Sequence, residues 1–553
     1  MHLLVPFFIA ALGLQAQAPR PSEVQERRLS NGARLLLVER RGLSAFNGTL
    51  VFQGGRAEEP ATAPGATDLL AAALYSTTWP EDVAPAKNQA DLEALLKQEE
   101  GLLEALRLEW LRLRRDPGTT TQVPALEARL ESIQARLQTL CSSSPLSDLY
   151  LARGGRQKAE ATTDALLVQT ELPLESFEFW CRTEAQRLRA LELSRFSGVR
   201  AELVADLRSN GTLGTALLCG AALPGHPYGR DLLDYLPALE ALRWSDLRAY
   251  ARHSLRPDRM TIILVGSFSV EKVLPVVERH LGSLPVVPEG EEAILPEITP
   301  GLGDRRVEAA LGTSPRLLTG WRIPARRHPD HLALRMAAQL LGGGQSSRLE
   351  SQLVRTKNLV RKVQVSLDEP GGRFPGLLVA DLRPREGHSL AEVAGALHSE
   401  ILRLQQDPIP QEEWLRASAQ LEAEHLRVED DPAALAHSLG TAWASGGDWR
   451  LAELDIQALR GLVPEVVQDA ARTWLSPSHR TTVLLEPNPG SSQDPVEAEL
   501  VRVLKTLASA RIPDLAQREH LVAEGVRQLR MLSSEERLKT LKLLEAQLAP
   551  EKR

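Results

Sequence analysis

Three cysteines in 553 residues, Cys141, Cys181 and Cys219, permit at most one disulfide and lack the paired spacing of a cysteine metal site. Any zinc chemistry would therefore rest on histidine and carboxylate. Charge of one sign is missing too. With 65 Lys and Arg against 72 Asp and Glu, the net charge is −7, which gives no sign of nucleic-acid or anionic-membrane binding. Beyond the first residues, no apolar run is long enough to span a bilayer. Neither His-x-x-Glu-His nor His-Glu-x-x-His occurs anywhere in the chain, which removes two helix-borne zinc-hydrolase signatures. What remains is an ordinary packing composition, 43% hydrophobic and 25% charged. It is enough for about three or four domains' worth of core.

The N-terminal segment has an apolar stretch over residues 3–14, too short for a comfortable span, then Ala16-Gln17-Ala18. This pattern predicts a secretory signal peptide over residues 1–18 and a soluble mature protein that is periplasmic or secreted. No Cys follows the apolar stretch to carry a lipid anchor, and cleavage after Ala16 is the alternative. Further on, ARHSLRPDRMTIIL at 251–264 and ARTWLSPSHRTTVL at 471–484 share six of fourteen positions. Each reads as a helix end, a proline break and a β-branched strand. A spacing of 220 residues suits a duplicated domain rather than a solenoid repeat. Between them and the N-terminus, residues 91–115 and 125–140 carry leucines at helical spacing around Asp116-Pro117-Gly118, predicting an antiparallel helical hairpin within 85–145. After the linker-like Pro487-Asn488-Pro489-Gly490, a Leu- and Arg-rich helical tail is expected over 488–553.

Ordered along the chain are Leu29-Ser30-Asn31-Gly32 before a strand, Gly65 opening GATDLLAAALY, His226-Pro227-Tyr228-Gly229, and Leu341-Gly342-Gly343-Gly344-Gln345-Ser346-Ser347-Arg348-Leu349. Taken together they resemble the insulinase/pitrilysin (M16) metallopeptidase family. The resemblance implies an α+β fold of two related M16-like (LuxS/metallohydrolase-like) α/β halves forming a clamshell. The halves are expected over 19–290 and 300–487, with the hairpin inserted in the first.

In that family an inverted zinc motif, His-x-x-Glu-His, follows the glycine. Laid on this chain it falls on Asp68, Ala71 and Ala72. Two histidines four apart share one helical face and can reach one zinc, and the glutamate takes a proton from the zinc-bound water. Alanine supplies neither a lone pair nor a base. The family's third ligand, a glutamate in V-x-x-E, is matched by Val199-Arg200-Ala201-Glu202, so Glu202 is implied to be a vestigial ligand. Cleft positions implied by the resemblance are Ala159, where the family carries an asparagine, Arg348, and Arg361, where many active members have an aromatic. Two other histidine clusters read as polar surface: His328-Pro329-Asp330-His331 as a loop, and Glu422-Ala423-Glu424-His425 as a solvated helix face. The expectation is a catalytically inactive member without bound zinc, the non-catalytic subunit of an extracytoplasmic zinc peptidase complex whose partner chain carries the intact motif. The alternatives are a stand-alone peptide-binding or scaffold protein, and an active metalloendopeptidase with an atypical metal site built on Asp68 and Glu202.

Overall fold

The computed structural model describes residues 23–487 except 61, 77–86, 116–121, 141–145, 190, 192, 194, 210–212, 231, 287–302 and 311–313, together with a few positions beyond 499. The expected signal peptide and most of the expected tail lie outside the described residues.

The first half contributes β1 (Val24–Arg28), β2 (Arg34–Glu39), β3 (Ala45–Gln53), α1 (Ala66–Ser76), α2 (Lys87–Arg115), α3 (Gln122–Leu140) and α4 (Leu146–Ala152). It continues with β4 (Arg156–Ala161), β5 (Ala165–Pro173), α5 (Phe177–Arg189), α6 (Phe196–Ser209), α7 (Leu213–Ala222), α8 (Leu232–Ala241), α9 (Trp244–Ser254), β6 (Met260–Gly266) and α10 (Val270–His280). The second half contains β7 (Arg305–Ala310), β8 (Arg316–Ile323), α11 (His331–Gly342), β9 (Val360–Glu369), β10 (Gly376–Pro384) and α12 (Leu390–Gln406). Then come α13 (Gln411–Asp430), α14 (Pro432–Gly446), α15 (Leu451–Leu459), α16 (Pro464–Trp474) and β11 (Arg480–Glu486).

Two sheets carry the architecture, ordered β1-β2-β6-β3-β5-β4 and β7-β11-β8-β10-β9. Without β1 the orders superimpose, including the one parallel pairing in each, β2 with β6 and β7 with β11. The sequence repeat occupies equivalent places: α9 into β6 in one half, α16 into β11 in the other, with Pro257 and Pro477 opening the turns.

The central strands explain how the halves meet. Every residue of β6 is buried, as are the seven central residues of β3, with no alternation. A strand reads as continuously apolar when both faces are covered. On one face lie α1, α5 and α9 of the same half. On the other lies α14 of the second half, whose Leu435, Ala436, Leu439 and Ala444 pack on Leu36, Val51, Leu167 and Ile263. The exchange is reciprocal, since Leu218, Cys219 and Ala222 of α7 pack on Leu318, Val379 and Val483 of the second sheet. Glycine permits this approach: a Cβ on Gly440 would sit 2.7 Å from Val51, and one on Gly214 2.6 Å from Leu485. Asp431 caps the first turn of α14, and Gly447 ends the helix in the left-handed region at φ 68°. Each fully buried leucine in such a contact contributes about 1.5–3 kcal/mol, so the two halves close on each other through core rather than through a hinge.

The hairpin forms from α2 and α3 and docks on its own body. Leu92, Leu95 and Leu96 are buried, and Arg248 and Ser245 of α9 bond to Glu93 and Glu100. Farther along α2, Leu108 and Leu111 are exposed.

Candidate functional site

Helix α1 carries the expected motif positions, and its two ends are held by buried charge. At its N-terminus the fully buried Glu59 carboxylate accepts from the Gly65 and Thr67 amides, at 2.8 and 2.7 Å, where the helix dipole favours an anion. The Thr67 hydroxyl lies 2.7 Å from the Tyr250 hydroxyl, which donates to the Gly55 carbonyl. At the C-terminal end the buried Arg187 guanidinium donates to the Leu74 carbonyl at 3.0 Å. Arg187 is paired with Glu184, which also accepts from the Tyr150 hydroxyl at 2.6 Å.

Along the helix, Asp68 is engaged by Arg56 in a two-pronged ion pair, Nε to Oδ2 at 2.7 Å and Nη2 to Oδ1 at 2.6 Å. Both carboxylate oxygens thus face a guanidinium where the resemblance calls for a metal. Ala71 is buried and Ala72 half-buried, both on the side of the helix packed in the first core. Glu202 lies on α6, which packs on α1, but its side chain is exposed, and among the described residues no hydrogen bond or ion pair engages it. One carboxylate already neutralised, two methyl groups and an exposed glutamate do not fit a zinc ion, which wants three or four nitrogen, sulfur or oxygen donors.

The other expected cleft positions separate. Ala159 is half-buried on β4, the edge strand beside α1. Arg348 is committed to Glu413 of α13 through bonds of 2.7 and 3.0 Å. Arg361 is exposed on β9, the edge strand of the other sheet.

Two histidine readings need correction. His331 is the first residue of α11 rather than part of a loop; it is buried, with Nε2 at 2.8 Å from Asp368. His425 is not on a solvated face: it is 13% exposed and faces Glu429 and Glu453. In both cases the local charge pattern suggested solvent, and a distant strand or helix covered the ring.

Sequence reasoning also missed the polar seam that joins the halves next to α1. Asp164, in the β4–β5 turn, accepts from the Gly372 and Arg373 amides of the second half at 2.9 and 3.1 Å, and from the Tyr228 hydroxyl. Glu58 is bonded by Arg259 and by Arg373 of the second half. Burial opposes the charge on Glu58, but these two guanidiniums outweigh it and hold the carboxyl below its ordinary range. The His226-Pro227-Tyr228-Gly229 turn serves this seam. Gly229 has no room for a side chain, since a Cβ would lie 2.0 Å from the Leu223 carbonyl oxygen, and burial with Arg230 nearby pushes the His226 imidazole down to about 4. A cavity of about 790 Å³ lies between the halves, with Lys158, Asp164, Arg326, Asp368, His425 and His437 among its walls.

Glu59 gives a prediction in pH. Burial, then the neighbouring Asp68, push its carboxyl from 4.5 up to about 7, against the pull of the two helix amides. A raised folded-state pKa means that the protonated form stabilises. That contribution is complete below about pH 4.5 and is lost as pH rises toward 7, by at most about 3 kcal/mol. Urea unfolding of Glu59→Gln across pH 5–7.5 is expected to lack this slope. A slope equal to that of the unaltered protein would assign the pH dependence to other groups.

Fold and site define a duplicated α+β protein in which the Arg56–Asp68 ion pair and two alanines stand where the resemblance implies metal ligands. Comparison agrees. The profile described as "Peptidase M16 inactive domain" matches residues 243–421. An uncharacterized zinc protease of Mycobacterium leprae is 26% identical over 283 residues, covering 48% of this chain and 59% of that relative. The match therefore spans less than two thirds of the relative's length. A probable mitochondrial-processing peptidase subunit beta of Schizosaccharomyces pombe is 28% identical over 146 residues, 25% of this chain and 32% of that protein. In fold, a crystal structure of a protease from Helicobacter pylori superposes with a TM-score of 0.69 at 14% identity, covering 84% of this chain and all of that one. Residues 243–421 thus match the M16 inactive-domain family, and the chain is similar in fold to M16-like structures. At the α1 positions where the resemblance implies two histidines and a glutamate, it carries Asp68, Ala71 and Ala72.

Proposed function

We propose that this protein is the non-catalytic subunit of an extracytoplasmic M16 peptidase complex, completing a peptide-binding chamber with a partner chain that carries an intact zinc motif. The observation behind this reading is the state of α1. The helix is anchored at both ends by buried ionic groups, yet its metal face holds Ala71, Ala72 and an Asp68 already neutralised by Arg56. A helix anchored at both ends but without ligands suits a structural role beside the chamber better than a hydrolytic centre, because water activation needs both metal and base. The outer edge of β4, beside α1 and unpaired among the described residues, offers an extended peptide a strand to pair with. That a matched yeast relative is by name a subunit of a processing peptidase favours the paired reading over a stand-alone scaffold. Among the described residues no helix is long and apolar enough to cross a membrane.

The test is co-purification from the native host, followed by peptide-cleavage assays on the separated chains. Chelator-sensitive cleavage is expected in the complex and in the partner, and none in this chain alone. Cleavage by this chain alone, abolished by Asp68→Asn or Glu202→Gln, would overturn the proposal.

A further inference from the structure

His425, Glu429 and Glu453 form a cluster unrelated to α1. His425 and Glu429 are four residues apart on α13 and therefore share one helical face. Glu453 comes from the first turn of α15. The His425 Nε2 lies 3.0 Å from Glu453 Oε2 and 3.8 Å from Glu429 Oε1, and one ligand atom from each residue falls within 4.8 Å of the other two. Zinc bonds of 2.0–2.2 Å at tetrahedral angles set ligand atoms about 3.3 Å apart, so closing the three onto one ion asks for shifts of roughly an ångström.

Charge separates a metal site from a plain ion pair. The side chains of His425 and Glu429 are each 13% exposed and that of Glu453 33%. His425 is the ion-pairing group that both carboxylates share. One imidazolium offsets one of the two negative charges, whereas a divalent ion with a neutral imidazole balances both. The surroundings are arranged as around a ligand set. Glu453 turns its second oxygen to the Gln457 amide at 2.8 Å, which leaves Oε2 directed at His425. The Glu429 carbonyl is held by Arg40, from the end of β2 in the first half, at 2.9 Å. His425 also lines the cavity between the halves, from which water can complete the coordination.

We propose that His425, Glu429 and Glu453 bind one divalent cation of the zinc class, which braces α13 against α15 at the junction of the two halves. Two carboxylates and one imidazole suit zinc or cobalt better than calcium, which takes an all-oxygen shell. The site is independent of the reading of α1, and its test does not involve peptide cleavage.

The experiment uses the untagged full chain, stripped with a chelator, dialysed and titrated with Co²⁺. One equivalent is expected to bind with visible ligand-field absorption, to be displaced by Zn²⁺, and to raise the melting temperature. His425→Ala and Glu429→Gln are each expected to weaken Co²⁺ affinity at least about ten-fold. Asp68→Asn is expected to leave it unchanged. Absence of saturable binding in the unaltered chain would overturn the proposal before any variant is made. So would binding that survives both substitutions, or binding lost in Asp68→Asn. Should His425→Ala not fold, Glu453→Gln carries the same comparison.

Discussion

Replacing Glu184 by alanine is expected to destabilise the first half by about 3–5 kcal/mol, because it leaves the Arg187 charge buried without its partner. Neither side chain is exposed beyond 1%, so solvent does not screen the loss. The same substitution removes the acceptor of the Tyr150 hydroxyl, itself fully enclosed in the core. Arg187 would then hold the Leu74 carbonyl as a lone buried cation, and the C-terminal turn of α1 should loosen with it. Urea unfolding gives the energy, and amide exchange at 71–76 locates the effect. A double substitution, Glu184→Leu with Arg187→Met, should cost clearly less than Glu184→Ala, since replacing both partners with apolar groups leaves no uncompensated charge. Stability within about 1 kcal/mol of the parent for Glu184→Ala would show that Arg187 has another buried counter-charge.

Asp164→Ala is the second large effect, about 3 kcal/mol, and it bears on how the halves join rather than on either core. The residue is 5% exposed and accepts three hydrogen bonds, two of them from backbone amides of the second half. Removing it strands those amides and the Tyr228 hydroxyl at about 1 kcal/mol or more each. The apolar exchange of α7 and α14 remains, so the protein should stay folded while the 370–373 segment becomes open to amide exchange and proteolysis. Asp164→Asn keeps one acceptor oxygen and should fall between the two. Unchanged protection of 370–373 in Asp164→Ala would mean that the apolar exchange alone fixes the seam.

Much of the fold was legible because its signals are local. The six identities between 251–264 and 471–484 marked the duplication, and both copies are a helix, a proline turn and a strand of the same sheet position. Leucine spacing marked α2 and α3. The candidate site was legible only through the resemblance, which implies two histidines and a glutamate where Asp68, Ala71 and Ala72 stand on one helix. What replaced them was not legible. Arg56 precedes Asp68 by twelve residues across a turn, and nothing in the spacing says that its guanidinium folds back onto the carboxylate. His331 and His425 misled because both sit among charged residues, and burial there comes from β9 and α15, far away in the chain.

By itself, then, the sequence carried the resemblance, the duplication and the residue types Asp68, Ala71 and Ala72 on α1. These depend on residue type and on helical or strand period, both properties of short stretches. Only the tertiary structure decided that α7 and α14 trade places across the two sheets, that Arg56 occupies Asp68, and that Asp164 and Arg373 tie the halves together beside α1. Those contacts join residues up to hundreds of positions apart. Their energies come from desolvation and charge pairing, which exist only once the chain has closed around them.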